Sequence, residues 1–215
     1  MAKVVLFGAT GYAGGKILDE AVRRGHQVVA VARHADAIAE RDGVSVRAGS
    51  LHDDAFLTEV ANGADVVISA IPGRELEGQR LIDAVPSLAK VATEHGARIG
   101  VVGGAGSLHV AEGGPTLMDL SDFQGAVKDE AVNHAKVLAA LRSLPEDVDW
   151  FYVSPGVSFG VRVPGRRTGK YRVGGDVVLT DENGDSAIGG DDFALAFVDE
   201  IEKPVHHRRR FTVAY

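Results

Sequence analysis

The chain has 215 residues, 45% of them hydrophobic and 25% charged, a composition that suits a globular α/β domain and excludes a disordered or collagen-like one. Its net charge of −7 and pI near 5.6 argue against nonspecific nucleic-acid binding, so no nucleic acid is expected as a partner. The absence of cysteine excludes disulfides, thiolate catalysis and thiolate metal sites, and no metal site is expected.

Short apolar runs alternate with helix-like segments along the chain. Strands are predicted over residues 3–7, 27–32, 44–47, 64–69, 98–102 and 149–154, with helices over 12–24, 78–95 (interrupted by Pro86) and 125–144. Val- and Ile-rich strands separated by helices indicate parallel βαβ units, and right-handed crossovers then give a Rossmann-type doubly wound α/β sheet. After Pro155 the character changes: residues 160–175 are rich in Gly, Arg and Pro, 171–180 suit a short strand pair, 191–202 a helix and 209–213 a last strand. One domain over 1–215 is expected, with residues 156–215 forming a small substrate cap. No segment is apolar enough over sufficient length to span a bilayer, and the apolar run at residues 4–7 is too short for a signal core, so a cytoplasmic protein without a membrane partner is expected.

The first strand runs into Gly8-Ala9-Thr10-Gly11-Tyr12-Ala13-Gly14. Gly8 permits a tight turn, Gly11 lets the backbone approach a pyrophosphate, and Gly14 lets the helix pack on the strand, while free N–H groups at the helix start face the phosphates. The strand-before, helix-after context separates this loop from a bare turn and makes Gly8, Thr10, Gly11, Tyr12, Ala13 and Gly14 candidate cofactor-binding residues. A P-loop is the nearest rival; it lacks the glycine spacing before Lys16 and has Ile17 where Ser or Thr would meet magnesium.

The second strand ends at Arg33-His34, where NAD-specific sites place a carboxylate on the ribose 2′-hydroxyl. A guanidinium there suits a 2′-phosphate, so NADP(H) is favoured over NAD(H), with Asp36 as the alternative discriminator. Later strand ends extend the candidate cofactor site. Ser50 and Leu51 fall near adenine, Ala70, Ile71, Pro72 and Gly73 beside ribose and phosphates, Gly103 and Gly104 near the nicotinamide, and Ser154, Pro155 and Gly156 after the sixth strand.

Together the glycine loop, Arg33, Ser154-Pro155-Gly156 and Asp192-Phe193-Ala194 resemble the atypical short-chain dehydrogenase/reductases. The stretch Gly103-Gly104-Ala105-Gly106-Ser107-Leu108, Asp149-Trp150, and Arg209-Arg210-Phe211-Thr212-Val213 are similar to the NAD(P)H-binding group provisionally named NADH-flavin reductases, related to flavin/biliverdin reductase and NmrA-like proteins. The resemblance implies a Rossmann fold and a nicotinamide cofactor. It also implies hydride transfer to a small-molecule acceptor, with flavin as a possible substrate. The alternative it implies is a non-catalytic NmrA-like redox sensor.

The Tyr-x-x-x-Lys pair of the main superfamily branch is missing after the fifth strand, since its only match, Tyr12 to Lys16, lies inside the glycine loop. A sugar epimerase is therefore the weaker third option. Ser107 and His134 are the catalytic candidates. Ser107 is expected beside the nicotinamide or as a loop serine capping its own backbone; His134 stands where NmrA-like relatives often carry lysine. Ala131 occupies the approximate position of the histidine associated with flavin/biliverdin reductases, which speaks against biliverdin reduction. The acidic run 181–185 reads as a polar turn around Asn183-Gly184 rather than a calcium loop, and 206–210 as a solvated basic strand entrance. A monomer or homodimer is expected.

Overall fold

The computed structural model describes residues 1–120, 125–163 and 165–215. The strands are β1 (Lys3–Phe7), β2 (Gln27–Ala32), β3 (Val44–Ala48), β4 (Val66–Ser69), β5 (Arg98–Val102), β6 (Trp150–Pro155), β7 (Arg172–Gly174) and β8 (Arg209–Ala214). They form one sheet in the order β3-β2-β1-β4-β5-β6-β8-β7, parallel throughout except for β7, which runs antiparallel to β8 at the edge. The chain reverses its direction of travel across the sheet between β1 and β4. That places a ligand crevice at their carboxyl ends.

The central strands are buried on both faces, and their two sets of side chains separate by the period of two. Val4 and Leu6 point to one layer, where helix α1 (Tyr12–Arg23) packs beside α5 (Gly190–Glu202) through Ile17, Leu18, Ala21, Phe193 and Phe197. Val5 and Phe7 point to the other, against α2 (Asp54–Ala61), α3 (Val85–His95) and α4 (Gly125–Arg142), through Leu57, Leu88, Val137 and Leu141. Val5 sits in register with Val29 of β2 and Val67 of β4 beneath the glycine loop.

Several expectations change in detail. Residues 78–95 divide into a 3₁₀ turn, Leu81–Ala84, and α3; Pro86 lies in the first turn of α3 and starts that helix rather than interrupting it, because its missing N–H costs nothing there. The strand pair expected over 171–180 is a single strand, β7, whose partner is the distant β8. Asp181 Oδ1 accepts the N–H groups of Asn183 and Asp185, giving the polar turn expected there. The region after Pro155 contributes to both core and crevice: α5 and β8 complete the core, and residues 156, 157, 159 and 160 line the crevice. Pro164, inside the Gly- and Arg-rich stretch, lies outside the described residues. No described helix is long and apolar enough to cross a membrane.

Candidate functional site

Gly8 has φ of +83°, and a Cβ there would lie 2.6 Å from the Ala70 carbonyl oxygen, so the turn out of β1 needs glycine for both backbone and space. A Cβ on Gly14 would meet the Gly8 oxygen at 2.1 Å, which is how α1 starts so close to the strand. Gly11 caps α1 without any side-chain bond, and the first turn carries no carboxylate. The amide groups opening the helix are therefore left to an incoming anion, as a pyrophosphate cradle requires.

Two cavities open over the carboxyl ends of the strands and share Gly11, Ala70, Ile71, Pro72 and Arg74. The first, about 240 Å³, is lined by Gly8 and Thr10 of the glycine loop, Arg33 after β2, and Ser50 and Leu51 after β3. His52, Leu76, Gln79 and Leu81 complete it. Its dimensions and position suit the adenosine half of a dinucleotide. The second, about 480 Å³, is lined by Tyr12 and Ala13, by Gly103 to Gly106 after β5, and by Pro155, Gly156, Val157 and Phe159 after β6. Val127, Glu130, Ala131 and His134 of α4 form its far wall.

Fifteen of the nineteen expected cofactor residues thus line this double cleft. The other four do not line it. Gly14 packs under the loop, and Gly73 is held by α4. Ser154 is buried and donates its hydroxyl to the Gly104 carbonyl at 2.9 Å, shaping the floor from beneath. His34 is exposed and lies outside the lining, since the chain turns into a 3₁₀ segment, Ala35–Ala37, directly after it.

The structure places the two catalytic candidates differently. Ser107 is half-buried outside both cavities, and its hydroxyl accepts a hydrogen bond from Arg210 Nη1 at 2.9 Å. It braces β8 rather than facing an acceptor. His134 does line the second cavity, yet neither nitrogen offers a proton to it. Nε2 lies 3.1 Å from both the Gly73 nitrogen and Glu130 Oε1 and is engaged within the wall, while Nδ1 is buried without a partner. Tyr152, the one tyrosine beneath the β5 loop, is fully buried; its oxygen accepts from the Gly104 N–H at 3.2 Å, and burial pushes its hydroxyl pKa far up.

Glu130, which sequence reasoning did not single out, organises the wall. Its Oε1 accepts from the Gly73 N–H and its Oε2 from the Arg74 N–H, each at 2.8 Å, clamping the loop after β4 onto α4. Burial pushes this carboxyl up, but the His134 side chain and the two amides outweigh it and bring it down to about 2. The spacing Glu130-x-x-x-His134, which places both on one helix face, was the available signal. Arg33 pairs with Glu77 across the first cavity's mouth, Nη1 to Oε1 2.5 Å. Among the described residues no cluster of three or more metal-ligating side chains is present.

The profile of a family described as NAD(P)H-binding matches residues 8–204. An uncharacterized Bacillus subtilis protein, YwnB, is 38% identical over 217 residues, covering 98% of this chain and 97% of its own. A Bacteroides thetaiotaomicron crystal structure provisionally named an epimerase is 34% identical, with a TM-score of 0.89, over 100% of this chain and 97% of that one. Another, from Streptococcus pneumoniae and provisionally named an NADH-flavin reductase, is 31% identical, with a TM-score of 0.81, over 100% of this chain and 99% of that one.

Proposed function

The chain belongs to the NAD(P)H-binding family, and on that premise we propose that it is an NADPH-dependent reductase passing hydride to a planar acceptor such as a flavin or quinone. The observation that carries this reading is the second cavity: a large, mostly apolar slot, walled by Val102, Ala131, Val157 and Phe159, that continues directly from the adenosine side. At its rim Val127 is 63% exposed and Val157 44% exposed, which suits an apolar ring system.

In this reading Gly8, Thr10, Gly11 and the start of α1 hold the pyrophosphate, Arg33 meets the 2′-phosphate, and Gly103 and Gly104 support the nicotinamide. The cofactor, when bound, supplies the hydride. The chain's task is orientation, since Glu130 and His134, the titratable side chains of the α4 wall, are engaged with each other and with the loop after β4. Glu130 is occupied by two amides, and His134 by Gly73 and by Glu130 itself. A flavin or quinone tolerates that arrangement, because hydride supplies two electrons and one proton and solvent at the open mouth supplies the second proton. A sugar epimerase would need a positioned acid-base pair there.

The same engagement of Glu130 and His134 favours a second reading, an NADP(H)-binding regulator without turnover. Stopped-flow oxidation of bound NADPH separates the two. FMN, riboflavin or a simple quinone should accelerate the decay of NADPH absorbance with saturation in acceptor. Tight NADPH binding with no acceleration by any of them would remove the reductase and leave the regulator.

A further inference from the structure

The loop after β4 closes on itself at Leu76 and Gln79, whose N–H and carbonyl groups pair at 2.8 and 3.0 Å. The two residues between them, Glu77 with φ of +52° and Gly78 with φ of +80°, both adopt left-handed backbone, the geometry of a tight type I′ turn. Glycine, asparagine or aspartate suits the first of those positions; a glutamate there is held against its backbone preference. Leu76 and Gln79 line the adenosine cavity together with Arg33, so the turn hangs over its mouth. At the tip, Glu77 Oε1 lies 2.5 Å from Arg33 Nη1, and Arg33 makes no other ion pair among the described residues. Both side chains remain open to solvent, 47% and 73% exposed, and therefore to exchange of partners.

We propose that Glu77 is a cofactor-specificity residue that competes with the 2′-phosphate for Arg33. Resting on the cofactor reading above, this means that a dinucleotide carrying the 2′-phosphate must displace the Glu77 carboxylate from the guanidinium. One with a free 2′-hydroxyl need not, because a carboxylate beside the ribose accepts a hydrogen bond from that hydroxyl. Arg33 favours NADPH, Glu77 subtracts from that preference, and the turn sets the balance between them. A guanidinium and a carboxylate this exposed attract each other weakly, so the subtraction is about two- to fivefold in affinity.

The test is fluorescence titration of NADPH and NADH onto the full chain and onto Glu77→Gln, Arg33→Gln and the double variant. Glu77→Gln should tighten NADPH by about two- to fivefold while leaving NADH equal or weaker, and Arg33→Gln should weaken NADPH and abolish the effect of the second substitution. Glu77→Asn, which removes the charge and keeps a residue at home in left-handed backbone, must reproduce the Gln result, with circular dichroism reporting the fold of each variant. If Arg33→Gln selectively weakens NADPH but neither Glu77 variant alters the NADPH-to-NADH ratio, the competition is refuted and the cofactor reading stands. If Arg33→Gln leaves that ratio untouched, the NADPH assignment itself falls, and the inference with it.

Discussion

A methyl group at position 14 would sit 2.1 Å from the Gly8 carbonyl oxygen and 3.3 Å from the Ala70 side chain, so Gly14→Ala must push α1 away from β1 or unwind its first turn. Overpacking of that kind costs about 1–3 kcal/mol. Urea unfolding should show the loss, and NADPH titration should show weaker binding, because the displaced amides are those offered to the phosphates. The glycine loop was legible in the sequence because its chemistry is local: strand, turn and helix follow one another within a dozen residues. Ser107 was not. Its partner, Arg210, is 103 positions away, and no local pattern reveals that the hydroxyl is already engaged. Arg33 stands between these cases, since strand position put it at the first cavity while Glu77 came from a loop without periodicity.

Among elements, the loop after β4 and its clamp on α4 matter most. The apolar strands could be read from their Val and Ile runs, whereas α2, only eight residues long, left too short a pattern to register. Glu130→Gln and His134→Ala should both raise the Kd for NADPH more than they slow the saturated rate, since both residues hold Gly73 rather than touch reacting atoms. A catalytic acid at His134 would instead give a collapse of kcat and a displaced pH profile. Acid sensitivity follows from the same contacts. The Glu130 carboxyl lies at about 2 in the folded protein against an ordinary 4.5, so the stability it contributes is complete above 4.5 and is lost as pH falls from there through about 2. Thermal unfolding between pH 6 and pH 3 should show a decline that is smaller in Glu130→Gln.

Across the whole molecule, Glu20 ties distant parts together. Only 2% exposed, it receives Arg23 and Arg24 from its own helix and Arg167 from the segment leading to β7, and Arg24 continues to Asp199 and Glu202 of α5. The bond from Arg23 chiefly holds its carboxyl well below the usual carboxylate range; burial opposes that, and Arg167 and Arg24 add to it. Glu20→Ala would remove the shared acceptor of three guanidinium groups while leaving Arg24 its contacts with Asp199 and Glu202, a loss of about 1.5–3 kcal/mol, the worth of a hydrogen bond to a charged group. Chemical denaturation measures it directly, with the midpoint moving to lower urea.

The packing of α1 on α5 also has a kinetic side. Tyr12 closes on Gly190, 178 positions later in the chain, and Arg24 on Asp199, 175 positions later. During synthesis the stripe Ile17, Leu18 and Ala21 can settle early on Val4, Leu6, Val28 and Ala30, but the side of it that meets Phe193 and Phe197 stays uncovered until α5 has been made. Such long-range closure is slow, because the entropy of joining the ends is lost before any contact rewards it. The helix after the glycine loop thus gains its last side of packing only when α5 arrives.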